Sequence, residues 1–256
     1  MLALAAATLA PGTDLRRIVE VAANVGFDAV GLRPGPGDAA LAVADSIRAA
    51  GIEVLDVEVV RLGVTPDAEA YRLVDWAAAV EARYLLVVSH LEERAATAHG
   101  LHRLAERAAG SGVRPVLEFM RFTAVADLAE AEAVADLVGD GAVSVLVDAL
   151  HLARSGGPVE KEGFADTERF PYLQLCDAPA AGPASPEALA DEARHRRLLP
   201  GQGELPLGPL AEAFHGRPIS IEVQSDAAWA TMTDFEWAGR ARRSAEDVVR
   251  GTLPPG

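Results

Sequence analysis

The chain has 256 residues, half of them hydrophobic and 24% charged. That is enough apolar material for one large globular core. The formal net charge of −15 repels nucleic-acid phosphates and anionic membrane surfaces and favours cations. One cysteine, Cys176, excludes an intrachain disulfide and fits a reducing, cytoplasmic compartment.

The apolar run Leu2–Leu9 is short, with no basic residue before it, and reads as a buried first strand rather than a signal peptide. Pro11-Gly12-Thr13-Asp14 gives a turn and a cap, Leu15–Val25 has helical spacing, and Gly26 stops it. Phe27–Leu32 is the second strand. A Pro/Gly loop and a helix from about Asp38 to Ala50 follow. Ile52–Val60 is the third strand, and Thr65-Pro66-Asp67 opens a helix to about Ala82.

Tyr84–Val88 is the fourth strand, followed by a helix rich in Ala and Arg to about Gly110. Val113–Met120, Val143–Asp148, Phe170–Cys176 and Ile219–Gln224 complete a set of eight strands. Val125–Val138, a weaker connection over 158–168, a long connection over 178–216, and Asp234–Arg250 follow them in turn. No stretch reaches the roughly 18 to 20 apolar residues that a membrane span needs.

Short β-rich runs alternating with amphipathic helices predict a parallel sheet, and eight units in this length predict an α/β fold, a single (β/α)8 TIM barrel over 1–256. The first strand lacks the glycine-rich phosphate loop of an open doubly wound sheet. The Ala/Pro-rich, then basic, segment 178–203 is the expected mobile active-site loop, and residues 251–256 are the expected flexible tail.

Reacting groups of a barrel sit at the C-terminal ends of its strands, and strand side chains alternate with period two. Four successive strands offer a late, inward-phased oxygen ligand: Glu118, Asp148, Gln174 and Glu222. Three carboxylates converging in an apolar barrel repel one another, and a divalent cation relieves this. An all-oxygen set suits Mg²⁺ or Mn²⁺, with Co²⁺ also admissible. Taken singly, each has a plainer role: Glu118 as a rim acid, Gln174 as a buried amide, Glu222 as a partner for Arg217.

Other polar residues are weighed likewise. Arg33, Glu58, Arg61 and His90 end strands and either meet substrate or serve structure, Glu58 and Arg61 by pairing with each other. Asp177 is out of phase with Gln174 and reads as a loop anchor. Cys176 reads as a small buried residue. Trp76 and Trp237 read as packing residues, and Trp229 as a cover for the site or a subunit contact.

The stretches Leu117-Glu118-Phe119, Leu146-Val147-Asp148-Ala149-Leu150-His151, Leu173-Gln174-Leu175-Cys176-Asp177 and Ile219-Ser220-Ile221-Glu222-Val223, with Arg197-Leu198-Leu199-Pro200-Gly201-Gln202-Gly203, carry a resemblance. Over essentially its whole length the chain resembles the xylose-isomerase-like barrel superfamily of sugar-phosphate isomerases and epimerases.

The resemblance implies one divalent metal held by Glu118, Asp148, Gln174 and Glu222. Ketose epimerases usually have His third in that set, and Gln174 is more like the hydroxypyruvate-isomerase branch. It further implies Glu118 and Glu222 as the acid/base pair, and His151 and Arg197 as substrate contacts, Arg197 clamping a distal oxygen or carboxylate. The implied chemistry is isomerisation or epimerisation of a sugar, polyol or keto acid by proton transfer next to a carbonyl, through an enediolate.

A dehydratase or lyase of the inosose, dehydroshikimate or C-glycoside type shares that first step, and a non-enzymatic sugar-binding protein would share the pocket. A homo-oligomer or a required partner subunit stays open. The superfamily's endonucleases need a trinuclear zinc cluster with extra His ligands. With six His and this charge, the sequence does not fit them.

Overall fold

A computed structural model describes residues 1–139 and 141–251. Apart from Gly251, the expected tail lies outside the described residues. Eight parallel strands close in sequence order, the first pairing with the last. They are β1 (Leu2–Leu4), β2 (Ala29–Leu32), β3 (Glu53–Leu62), β4 (Tyr84–Ser89), β5 (Arg114–Glu118), β6 (Ser144–Asp148), β7 (Leu173–Leu175) and β8 (Ile219–Ile221). The expected α/β barrel is therefore the observed fold.

The helices on the outside are α1 (Leu15–Val25), α2 (Ala40–Ala50), α3 (Asp67–Ala79), α4 (Arg94–Ala108), α5 (Leu128–Val138), α6 (Ala149–Ser155), α7 (Pro186–His195), α8 (Leu207–Ala213), α9 (Asp226–Trp229) and α10 (Asp234–Val249). Their ends follow the local chemistry. The Asp14 carboxylate accepts the N–H groups of Arg16 and Arg17 ahead of α1, and Gly26 ends it at φ 93°. Thr233 and Glu236 close a capping box at the start of α10. No helix among the described residues is long and apolar enough to cross a membrane.

Two cores result. Ala3, Leu55, Leu86, Val116, Leu146 and Tyr172 belong to the cluster that fills the barrel. The outward strand residues and the inner helix faces make the larger one. The alternation expected from the sequence is visible here. Val116 and Glu118 share a face, as do Leu146 and Asp148, and Tyr172 and Gln174, so each buried apolar residue is followed two positions later by a buried polar one.

Three expectations need correcting. β1 ends at Leu4, and Ala6–Thr8 is a 3₁₀ turn. The Thr8 hydroxyl donates to the Ile221 carbonyl at 2.7 Å and accepts the Val223 N–H at 3.0 Å, so this stretch is held across β8 rather than along a ladder. The helix after β6 begins directly at Ala149, and the 158–168 connection holds only a 3₁₀ turn over Lys161–Phe164. Lastly, 178–203 is only partly loop.

Within that segment, residues 186–195 form α7, with Ser185 accepting the Ala188 N–H and Pro186 in the first turn. A buried ion pair ties α7 down. Arg154 Nε and Nη2 donate to the two Glu192 oxygens, both at 2.8 Å.

Candidate active site

β5, β6, β7 and β8 set four polar groups near one level. Asp148 lies opposite Gln174, and Gln174 opposite Ser220, in the strand register. Glu222 follows β8 directly, and its N–H donates to the Leu175 carbonyl at 3.2 Å. Glu118, Asp148, Gln174, Glu222, His151 and Arg197 are all buried.

One ligand atom each of Glu118, Asp148 and His151 lies within 4.8 Å of the others. Asp148 also starts α6: its Oδ1 accepts the His151 N–H at 3.0 Å. This cap turns the His151 ring into the acid cluster, with Nε2 3.8 Å from Glu118 Oε1. Expected as a substrate contact, His151 thus stands close enough to the acids to be a metal ligand itself.

Arg197 is the internal cation. Its Nη1 lies 2.6 Å from Asp148 Oδ2 and 3.3 Å from Glu222 Oε2, and it also reaches the Glu222 carbonyl and Cys176 Sγ, each at 3.3 Å. Nε donates to the Ala193 carbonyl at 2.8 Å. The family resemblance implies Arg197 at a distal part of the substrate. The structure sets its guanidinium among the strand-end acids.

The backbone that delivers Arg197 is anchored by Asp177, whose carboxylate accepts the N–H groups of Ala178, Gly201, Gly203 and Leu205 at 2.8 to 3.1 Å. The loop-anchoring role expected of Asp177 is what the structure shows.

Charge is unevenly matched. Burial, then Glu222 and Asp148, holds the Glu118 carboxyl well above its usual range. Burial pushes Glu222 up to about 7 although Arg197 pulls against it. For Asp148 burial raises, but Arg197 and His151 outweigh it and hold the group low. Burial, helped by Arg197 and opposed by Asp148, takes His151 down to about 4, so its ring is neutral at pH 7.

The donor set fits a divalent ion. Among the described residues, both polar atoms of the Gln174 side chain are buried without a hydrogen-bond partner, as is the neighbouring Ser220 hydroxyl. A buried amide left unsatisfied costs about 1–3 kcal/mol, and its carbonyl oxygen is a suitable hard-metal ligand. A buried amide oxygen beside carboxyls raised by burial and by one another is a donor set that a divalent cation would satisfy.

Glu118 and Glu222 floor a cavity of about 180 Å³ whose wall includes Arg33, Arg61, His90, Phe122 and Arg194. A second cavity, about 560 Å³, adjoins it and shares Arg33, Arg194 and Gln224. Glu58 pairs with Arg33, with Arg33 Nε 3.0 Å from Glu58 Oε2, and not with Arg61. The register of β3 slips between Val57 and Val60, so Glu58 and Arg61 line the same cavity although they do not pair.

Arg217 donates to the Phe164 and Phe170 carbonyls and leaves Glu222 to Arg197. Trp229 donates its indole N–H to the Thr8 carbonyl at 2.9 Å and lines the second cavity. Trp76 and Trp237 are buried packing residues.

Sequence reasoning missed Phe122 and Arg194. Phe122 meets the His151 ring edge-on at 5.7 Å, and Arg194 lies over Phe122 at 5.6 Å. The helix signal at Ser185-Pro186 would have exposed Arg194. Nothing local marks Phe122.

No curated protein matches the chain by sequence. Solved structures share the fold at low identity. The IolI protein with a bound zinc atom has a TM-score of 0.82 at 19% identity, over 100% of this chain and 99% of its own. L-ribulose 3-epimerase has a TM-score of 0.75 at 14% identity, over 98% and 94%. D-allulose 3-epimerase from Methylomonas sp., in complex with D-allulose, has a TM-score of 0.71 at 16% identity, over 96% of each chain. The family model described as xylose isomerase-like TIM barrel matches residues 19–247. The chain belongs to the xylose isomerase-like TIM barrel family.

Proposed function

We propose that this protein is a divalent-metal-dependent isomerase or epimerase that moves a proton on a carbon next to a carbonyl of a sugar, polyol or keto acid. The observation that carries this reading is the Gln174 amide, without a partner among the described residues and in register with Asp148, near the Glu118 carboxyl that burial and the charges of Glu222 and Asp148 hold well above its usual range. Glu118, Asp148, Gln174 and Glu222 would hold the ion, with His151 within reach of two of them. Mn²⁺ or Mg²⁺ suits the oxygen donors, and one structural neighbour, the IolI protein, carries a bound zinc atom. A bound divalent ion would polarise the substrate carbonyl and stabilise the negative charge that builds as the neighbouring proton leaves.

The chain's own residues supply the proton steps. Glu222, buried just past β8 and lining the cavity, takes and returns a proton. Glu118, on the same cavity, serves as its counterpart. His151, neutral and fixed by the α6 cap, hydrogen-bonds a substrate hydroxyl. Arg197 is a positioning residue that holds Asp148 and Glu222 in place.

Deuterium wash-in tests this. The Mn²⁺-loaded protein is incubated in D₂O with small ketoses, hydroxypyruvate, inososes and 3-dehydroshikimate. Exchange at the carbon next to the carbonyl is expected for at least one. Absence of exchange across the panel would overturn the reading.

A further inference from the structure

The chain carries 38 acidic residues against 23 Lys and Arg, so a guanidinium should readily find a carboxylate. Arg17, Arg94, Arg107 and Arg169 do so even on the surface. At the mouth of the pocket two do not. Among the described residues, the Arg61 and Arg194 side chains make no ion pair or hydrogen bond. Arg194 lies over the Phe122 ring. Arg33 stands beside them, its charge shared with Glu58.

The three come from separate places: Arg33 just after β2, Arg61 from β3, and Arg194 from α7. Their mutual approach is felt, since burial and the positive charges of Arg33 and Arg194 together lower Arg61 from its ordinary value. Like charges brought together without a partner cost free energy, and the fold maintains the arrangement by pinning α7 through the buried Arg154–Glu192 pair.

We propose that Arg33, Arg61 and Arg194 form an anion-binding rim that receives a carboxylate or phosphate of the substrate, while the carbonyl end reaches the acids at the floor. This rests on reading the pocket as the substrate site. Arginine's fixed fork of donors matches either oxyanion. The rim arginines Arg33 and Arg194 stand where the two cavities meet, so the larger one gives room for the charged end of a substrate longer than the floor cavity holds. The substrate class is then an anionic carbonyl compound, unlike the uncharged D-allulose of one structural neighbour.

The test compares charge-matched pairs by calorimetric titration of the Mg²⁺-loaded protein: fructose 6-phosphate against fructose, and malonate against malonamide. The first pair reads phosphate and the second carboxylate. The charged member of at least one pair should bind about tenfold or more tighter, weaken in salt, and lose that preference in R61Q and in R194Q. Three results would overturn the proposal: charged and neutral members binding alike in both pairs, no binding by any of them, or a preference that survives both substitutions. Deuterium exchange reads the proton chemistry separately. Anion preference without exchange leaves the rim standing and removes the isomerase, and exchange without anion preference does the reverse.

Discussion

Arg197 Nη1 lies 2.6 Å from Asp148 Oδ2, and both side chains are buried. The same nitrogen is 3.3 Å from Glu222 Oε2. One guanidinium, delivered by the segment between α7 and α8, therefore joins the ends of β6 and β8. A buried ion pair is weak evidence of net stabilisation, but removing one partner strands the other. R197M should lower the stability of the chelator-treated protein by about 3–5 kcal/mol, read from urea unfolding. A loss below about 1 kcal/mol would mean that the acids are solvated or protonated without Arg197.

The pH dependence of the metal-free protein follows from the raised carboxyls. Asp56 is pushed up to about 8 by burial and by Glu58, against the hydrogen bond that the Tyr172 hydroxyl donates to it at 2.8 Å. Glu222 is pushed up to about 7. In the unfolded chain both would have lost their protons near pH 4. The folded state thus binds more protons across that window, and stability falls as pH rises through it. His151, held down at about 4, acts in the opposite sense only below its ordinary value of about 6.5. The clean interval is therefore about pH 6.5 to 8. Urea midpoints with chelator should drop across it, and D56N should make the drop shallower. A midpoint that climbs from pH 6.5 to 8 would contradict these assignments.

Asp177 collects the backbone N–H of its neighbour Ala178 and three more, from Gly201, Gly203 and Leu205 in the turn that precedes α8. Its own backbone pairs with Leu198 in both directions at 2.9 Å, one residue from Arg197. D177A should cost at least about 2 kcal/mol and depress turnover, because the segment that positions Arg197 loses its anchor. G203A should do likewise, since an added Cβ would sit 2.4 Å from the Ala178 carbonyl. Unchanged unfolding midpoints in both variants would show that the turn is held by something else.

Much of this molecule is legible from its sequence. The period-two phase that puts Glu118 after Val116 and Asp148 after Leu146 is a local property, and the barrel follows from eight such runs separated by capped helices. What was missed is non-local or carries two roles. Asp148 is both a strand-end acid and the cap of α6, so a helix beginning at the very next residue escaped notice. Arg197 meets Asp148 across 49 positions of chain, and no spacing rule reaches that far. Ser185 and Pro186 announce α7 plainly, but the Ala/Pro-rich composition around them pointed to a loop. Arg194 was hidden for the same reason.

The central claim is that the ends of β5 to β8 form a cation site, and a Mn²⁺ titration followed by electron paramagnetic resonance tests it most directly. The account predicts one Mn²⁺ bound per chain in the wild type, and binding weakened about tenfold or more in D148N and E222Q with the fold retained by circular dichroism. Wild-type protein that binds no Mn²⁺, or variants that bind it as tightly as wild type, would contradict the account.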